Sequence, residues 1–167
     1  MRALVVFESM FGNTRAVADA IASGLAETME VDVRSVDDAP DGIAADLGLV
    51  VAGGPTHAFS MSRETTRRDA VARGADHPTT SGLRDWLERL PESRSSAAVA
   101  TFDTHAAQKW IPGSAAKAAA HEARRHHLRV LSSRSFYVAD MEGPLVDGET
   151  DRARAWGRDL ARRVQEE

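Results

Sequence analysis

Short apolar runs alternate along the chain with longer stretches in which apolar residues return every third or fourth position. Ala3–Phe7 is a valine-rich run that stops at a turn-forming cluster, Glu8 to Thr14. A run with no polar face reads as a buried parallel strand. Beyond it, Val17, Ala18, Ile21, Ala22 and Leu25 fall on one side of a helix running from Thr14 to about Thr28. The same two patterns then recur. Val31–Val36, Leu47–Ala52 and Ala97–Phe102 read as strands, and Arg129–Leu131 with Ser135–Val138 bracket a fifth. Gly82–Leu90, Ala115–His127 and Glu149–Glu166 read as helices. Trp86 and Trp156 sit on the apolar faces of the first and last of these and are expected in the core. Between strands 2 and 3, Pro40 and Gly42 leave room for a short helix at most. The segment 57–81 is long, polar and charged. Its part around Arg63–Arg73 is expected to be helical, with Gly74 and Pro78 breaking it.

Strands alternating with helices specify an α/β fold, a parallel sheet covered on both faces in three αβα layers. Five strands and about five helices in 167 residues fit one domain, 1–167, doubly wound with strand order 2-1-3-4-5. In that order ligands bind outside the carboxyl ends of strands 1 and 3, where the winding reverses. The chain has no internal repeat, low-complexity tract or linker. Segment 57–81 is its one insertion-like stretch, and such stretches are commonly functional.

Composition narrows the chemistry. With no cysteine there are no disulfides, thiolate metal sites or cysteine nucleophile. That composition suits a reducing, cytoplasmic setting. A net charge of −4, from 21 basic and 25 acidic residues, does not suit a nucleic-acid binder. Nineteen of the 21 basic residues are arginine, which reads as codon bias. No apolar run is long enough to span a membrane. Glu8 and Asn13 interrupt the first apolar run too early for a signal peptide.

Three clusters follow strands and fall at one edge of the expected sheet. Ser9-Met10-Phe11-Gly12-Asn13-Thr14 joins strand 1 to helix 1. A helix N-terminus supplies unpaired N–H groups and a positive dipole end for an anion such as phosphate. Ser9, Asn13 and Thr14 add side-chain donors, and Gly12 permits a tight turn. The loop has no lysine, so it is not a Walker-type site. Taken alone it reads equally as a helix cap made by Asn13 or Thr14. Gly53-Gly54-Pro55-Thr56-His57-Ala58-Phe59-Ser60 follows strand 3. Its glycines would let a flat ligand lie against the backbone, and His57 and Phe59 could stack on a ring. By itself it reads as a strand-ending turn. Thr101-Phe102-Asp103-Thr104-His105 follows strand 4 and by itself reads as a helix-capping loop.

These residues together resemble the flavodoxin family, and the resemblance runs over the whole chain. Ser-x-x-Gly-Asn-Thr at Ser9–Thr14 is similar to its FMN phosphate loop and is the most specific part. Gly53 to Phe59 is similar to the loop covering one face of the flavin ring, and Thr101 to His105 to the loop at the ring's edge. The resemblance implies FMN as cofactor. Ser9, Gly12, Asn13 and Thr14 would hold the phosphate, with Met10 and Phe11 as further cofactor-binding residues of the same loop. Pro55, Thr56, His57 and Phe59 would line the ring, and Phe102, Asp103, Thr104 and His105 its other side. It implies an electron-transfer protein serving a redox partner protein or a small-molecule acceptor. One alternative is an NAD(P)H-dependent FMN reductase of quinones or similar acceptors. Another is a flavodoxin-like module without flavin. A phosphoacceptor receiver is disfavoured, because Gly53-Gly54 and Glu8-Ser9 stand where it needs aspartates.

Three features depart from the electron carriers of the family. Phe11 removes a hydroxyl donor to the phosphate. The chain is only mildly acidic, where carriers are strongly so. Ala58 stands where many carriers have a glycine that flips on reduction, and a flip to positive φ would cost alanine about 1 kcal/mol or more. Weaker stabilisation of the one-electron-reduced flavin is expected from that. No residue reads as a clear catalytic acid or base. His121 and His126 lie five apart and share no helix face, so no metal site is expected. Arg63, Arg67, Arg68 and Arg73 read as a solvated helix face, with docking of an anionic cofactor such as NADPH as the minority reading. Trp110 reads either as a cover for the flavin or as a cap on the sheet edge.

Overall fold

The apolar runs become strands in the computed structural model, which describes residues 1–91, 95–107 and 112–166. The strands are β1 (Arg2–Phe7), β2 (Glu30–Ser35), β3 (Leu47–Pro55), β4 (Ala98–Ala106) and β5 (Arg129–Val138). The helices are α1 (Asn13–Leu25), α2 (Glu64–Ala72), α3 (Leu83–Arg89), α4 (Ala115–Arg125) and α5 (Glu149–Gln165). All strand pairs are parallel, in the order β2-β1-β3-β4-β5. The doubly wound α/β reading is therefore correct.

Side chains alternate across the sheet and build two apolar layers. Val5, Val51, Phe102 and Phe136 meet Ile21 and Leu25 of α1 and Trp156 and Leu160 of α5 on one face. Val6, Val50 and Val99 meet Leu83, Trp86 and Leu87 of α3 and Ala119 of α4 on the other. Both tryptophans are buried, as their helical positions predicted. Helices α1 and α5 press together through glycine. A Cβ on Gly24 would lie 2.1 Å from the Arg154 carbonyl oxygen, and one on Gly157 would lie 2.3 Å from that of Ile21.

Three details beyond the sequence reading bear on the site. First, β3 and β4 continue past Ala52 and Phe102. Gly53 pairs with Phe102, Gly54 with Asp103 and Pro55 with Thr104, so part of each expected loop is strand. Buried central strands keep pairing as long as their polar side chains find partners inside the protein, and Asp103 and Thr104 do. Second, β5 is continuous. It is an edge strand, and its serines and Arg134 are carried where solvent can reach them. Third, residues 36–46 contain no helix, within the limit of a short one that Pro40 and Gly42 set. Trp86 Nε1 of α3 donates to the Pro40 carbonyl at 2.9 Å, and Asp37 accepts from the Thr80 and Ser81 amides at 3.0 Å. The crossover is thereby tied to the chain that follows α2.

Candidate functional site

A cavity of about 250 Å³ opens at the carboxyl ends of β1, β3 and β4. The topology rule expects a ligand there.

Its first wall is the β1–α1 connection. Met10 is buried and anchors the loop, while Gly12, at φ +86°, turns the chain into α1 and is its N-cap. The cap is neither Asn13 nor Thr14. Ser9 serves the helix instead, its Oγ accepting the Arg15 N–H at 3.1 Å. Ser9, Met10, Phe11, Asn13 and Thr14 line the cavity, with Gly12 between them in the chain. Among the described residues, the amides of Phe11, Gly12, Asn13 and Thr14 have no acceptor. The first turn of α1 carries no acidic side chain. Four unpaired donors at a helix N-terminus, without a carboxylate to compete, suit a phosphate group. Asn13 Nδ2 donates to the Glu142 carbonyl at 3.0 Å. Thr14 and Thr104 share a hydrogen bond of 2.7 Å between their buried hydroxyls, which leaves one O–H of the pair available.

The second wall is Pro55, Thr56, His57 and Ala58. The Thr56 amide donates to the Thr104 carbonyl at 2.9 Å, continuing the β3–β4 pairing. His57 and Ser60 then exchange two backbone bonds, 2.8 and 3.0 Å, around Ala58 (φ 44°) and Phe59 (φ 73°). Two left-handed residues between paired ends make a tight primed turn. The cost expected for moving Ala58 to positive φ is therefore already present in this conformation. The expectation of a poorly stabilised one-electron-reduced flavin, which rested on that cost, loses its premise. His57 is held below the usual histidine range by burial first, then by the charges of Arg67 and Arg73.

Several expected contact residues are elsewhere. Phe59 is 56 % exposed and does not line the cavity. Its carbonyl presses on Gly113, where a Cβ would come within 2.1 Å. Phe102 is fully buried and packs edge-on to Phe136, centroids 6.4 Å apart. Its ring fills the space above Gly53, where a Cβ would lie 2.3 Å away. That glycine makes room for a core phenylalanine, not for a ligand. Asp103 is also fully buried. Its Oδ2 accepts from Thr56 Oγ1 (2.9 Å), Ser114 Oγ (2.6 Å) and the Ala116 amide (3.0 Å). It joins the second wall to the N-terminus of α4 and touches no part of the cavity. The His105 ring nitrogens lie against the Ala106 and Gly113 carbonyls at 2.8 and 3.1 Å, outside the lining. Trp110 lies outside the described residues.

The third wall comes from segment 57–81, the insertion-like stretch expected to be functional, through residues read mainly as a solvated helix face. Thr66, Asp69, Ala70 and Arg73 of α2 line the cavity at i, i+3, i+4 and i+7, one helical face. Because this face is polar, its spacing reads as solvated in the sequence. Val138, Met141 and Glu142 close the remaining side. Arg67 of α2 departs from the solvated-face reading. Arg67 is buried, donating to Ser62 Oγ at 3.1 Å and pairing with Asp85 at 2.9 Å. Ser62 donates to Glu8, whose other oxygen accepts the Leu83 amide at 2.8 Å. Glu8 has no exposed surface, and burial pushes its carboxyl up against the opposing pull of Ser62, Leu83 and Arg67. This network holds α2 and α3 against the end of β1. A carboxylate directly after an apolar strand was the signal for it. Arg68 is exposed and pairs with Glu64, as a solvated face would.

Comparison of the fold finds the flavodoxin architecture. A flavodoxin from the domain Archaea superposes with a TM-score of 0.68 at 20 % identity, covering 99 % of both chains. A flavodoxin of Bacillus cereus gives 0.65 at 17 % identity over 97 % of this chain and 98 % of its own. A flavone reductase gives 0.62 at 13 % identity over 99 % of this chain and 63 % of its own. The sequence matches no family model and no curated protein. The chain thus has the flavodoxin-like fold.

Proposed function

We propose that the cavity binds FMN and that the protein is an electron-transfer flavoprotein. The observation that carries this reading is the set of unpaired amides at residues 11–14, opening on a cavity whose opposite wall is Pro55–Ala58. The amides would receive the phosphate, with the Ser9 hydroxyl and the free proton of the Thr14–Thr104 pair as further donors. Pro55, Thr56, His57 and Ala58 would lie along the ring. Bound FMN supplies one- and two-electron chemistry, and the protein contributes orientation and electrostatics. His57, neutral at pH 7, adds no charge beside the ring.

A second reading has one observation in its favour. The face of α2 walls the cavity with polar groups, which suits an enclosed pocket for a small acceptor. The protein would then be an FMN-dependent reductase drawing on NAD(P)H. Both readings share the flavin. Titrating the full-length apoprotein with FMN tests it, following quenching of flavin fluorescence. Saturable one-to-one quenching is expected, and a protein indifferent to FMN at high micromolar concentration would overturn the proposal. NAD(P)H oxidation by the loaded protein, with and without quinone, then separates carrier from reductase.

A further inference from the structure

Helix α2 brings a cation to the cavity. Arg73 is exposed at the end of α2, lines the cavity and, among the described residues, forms no ion pair. It does not pair even with Asp69, one turn back on the same face. Its position along the cavity follows from its neighbours. Arg73 Nη1 reaches Met141 Sδ at 3.6 Å. The next residue, Glu142, accepts from Asn13 at the N-terminus of α1 through its carbonyl. Just past α2, the His77 amide donates to the Met10 carbonyl at 3.2 Å. The segment just past α2 is thus docked on the β1–α1 loop, and Met141 and Glu142 link Arg73 to Asn13 at the start of α1.

We infer that Arg73 is a phosphate-selecting residue: its guanidinium reaches across the cavity to the anionic end of the flavin nucleotide held by the amides of residues 11–14. The inference rests on the FMN reading. Backbone amides alone supply partial charges, and a dianion held by them keeps most of its own charge. A guanidinium can supply a full positive charge and two parallel donors to phosphate oxygens. The loop lacks a hydroxyl at Phe11, and Asn13 gives one of its two side-chain N–H donors to the Glu142 carbonyl. A donor from a separate helix makes up for both. The same placement predicts discrimination: a flavin without phosphate gains nothing from Arg73.

The test compares FMN with riboflavin on the full chain, by fluorescence quenching at low and at high salt. Arg73→Gln should weaken FMN about tenfold at low salt and leave riboflavin unchanged. Arg73→Lys should restore part of the loss. Salt should weaken FMN binding to the natural protein more than to Arg73→Gln. Equal weakening of both flavins would overturn the inference, because it would mean lost packing. So would unchanged FMN affinity. A natural protein that binds neither flavin refutes the FMN reading itself, and one that binds FMN with Arg73 indifferent refutes only the role of Arg73.

Discussion

Replacing Asp103 tests whether that residue touches the ligand or positions the walls around it. Its Oδ2 collects three hydrogen bonds, from Thr56, Ser114 and the Ala116 amide, in a fully buried site. Bonds to a charged acceptor contribute about 1.5–3 kcal/mol each. They do not simply add. Thr56 Oγ1 still accepts from the Ala115 amide and Ser114 Oγ from the Lys117 amide, so both hydroxyls keep a role. The Ala116 N–H is stranded. Asp103→Ala should therefore cost about 3–5 kcal/mol, part of it from losing a negative charge at the N-terminus of α4. For a chain of this length that lowers the melting temperature by roughly 6–20 °C. Asp103→Asn keeps an oxygen for the three donors and puts its NH₂ where Oδ1 has no partner among the described residues. It should cost about 1–3 kcal/mol. Because Asp103 acts on the cavity only through Thr56, flavin affinity of the Asn variant should fall by at most about tenfold. Thermal melting and FMN titration on the two variants give both quantities. An Asp103→Ala protein melting within about 2 °C of the natural one would refute the reasoning. So would an Asn variant of unchanged stability that no longer binds FMN, which would make Asp103 a contact residue.

Other consequences are open to measurement. Gly157→Ala should destabilise by about 1–3 kcal/mol although alanine is the better helix former, because its Cβ meets the Ile21 carbonyl; a gain in urea denaturation would contradict the α1–α5 packing. Burial raises the Glu8 carboxyl above 4.5, so as pH falls the folded chain takes up this proton before the unfolded chain does. Its contribution to stability grows toward pH 4.5 and is lost as pH rises through the folded value. Glu8→Gln should thus gain on the natural protein between mildly acid and neutral pH, and parallel stability profiles would count against a buried carboxylate. His57 should titrate below 6.5 by NMR, and Arg73→Gln should move its midpoint up. A midpoint at or above 6.5 would show that neither burial nor arginine acts on it.

The strands and helices were legible because each apolar run or stripe has one physical explanation, burial against the sheet. Val17, Ile21 and Leu25 could only line α1, and Trp156 only the inside of α5. Strand ends were not legible. Asp103 to His105 read as loop because polar residues end strands unless partners await them, and the partners Thr56, Ser114 and Ala116 come from elsewhere in the chain. Gly53 was misread for a similar reason: glycine marks a close approach without saying what approaches, here Phe102. The turn into α1 was legible from Gly12, Asn13 and Thr14, because a left-handed glycine before a helix start leaves few other conformations. The α2 wall was not. A face of Thr66, Asp69, Ala70 and Arg73 carries no hydrophobic signal, and long-range contacts such as the Glu8–Ser62–Arg67–Asp85 network bring it onto the cavity.

The most direct measurement is an amide NMR titration of the isotope-labelled full chain with FMN. The expected result is saturable shifts concentrated at the amides of Phe11, Gly12, Asn13 and Thr14 and at Thr56–Ala58, with the core strands unmoved. Shifts confined to other surfaces, or none at saturating flavin, would contradict the assignment of this cavity as the FMN site.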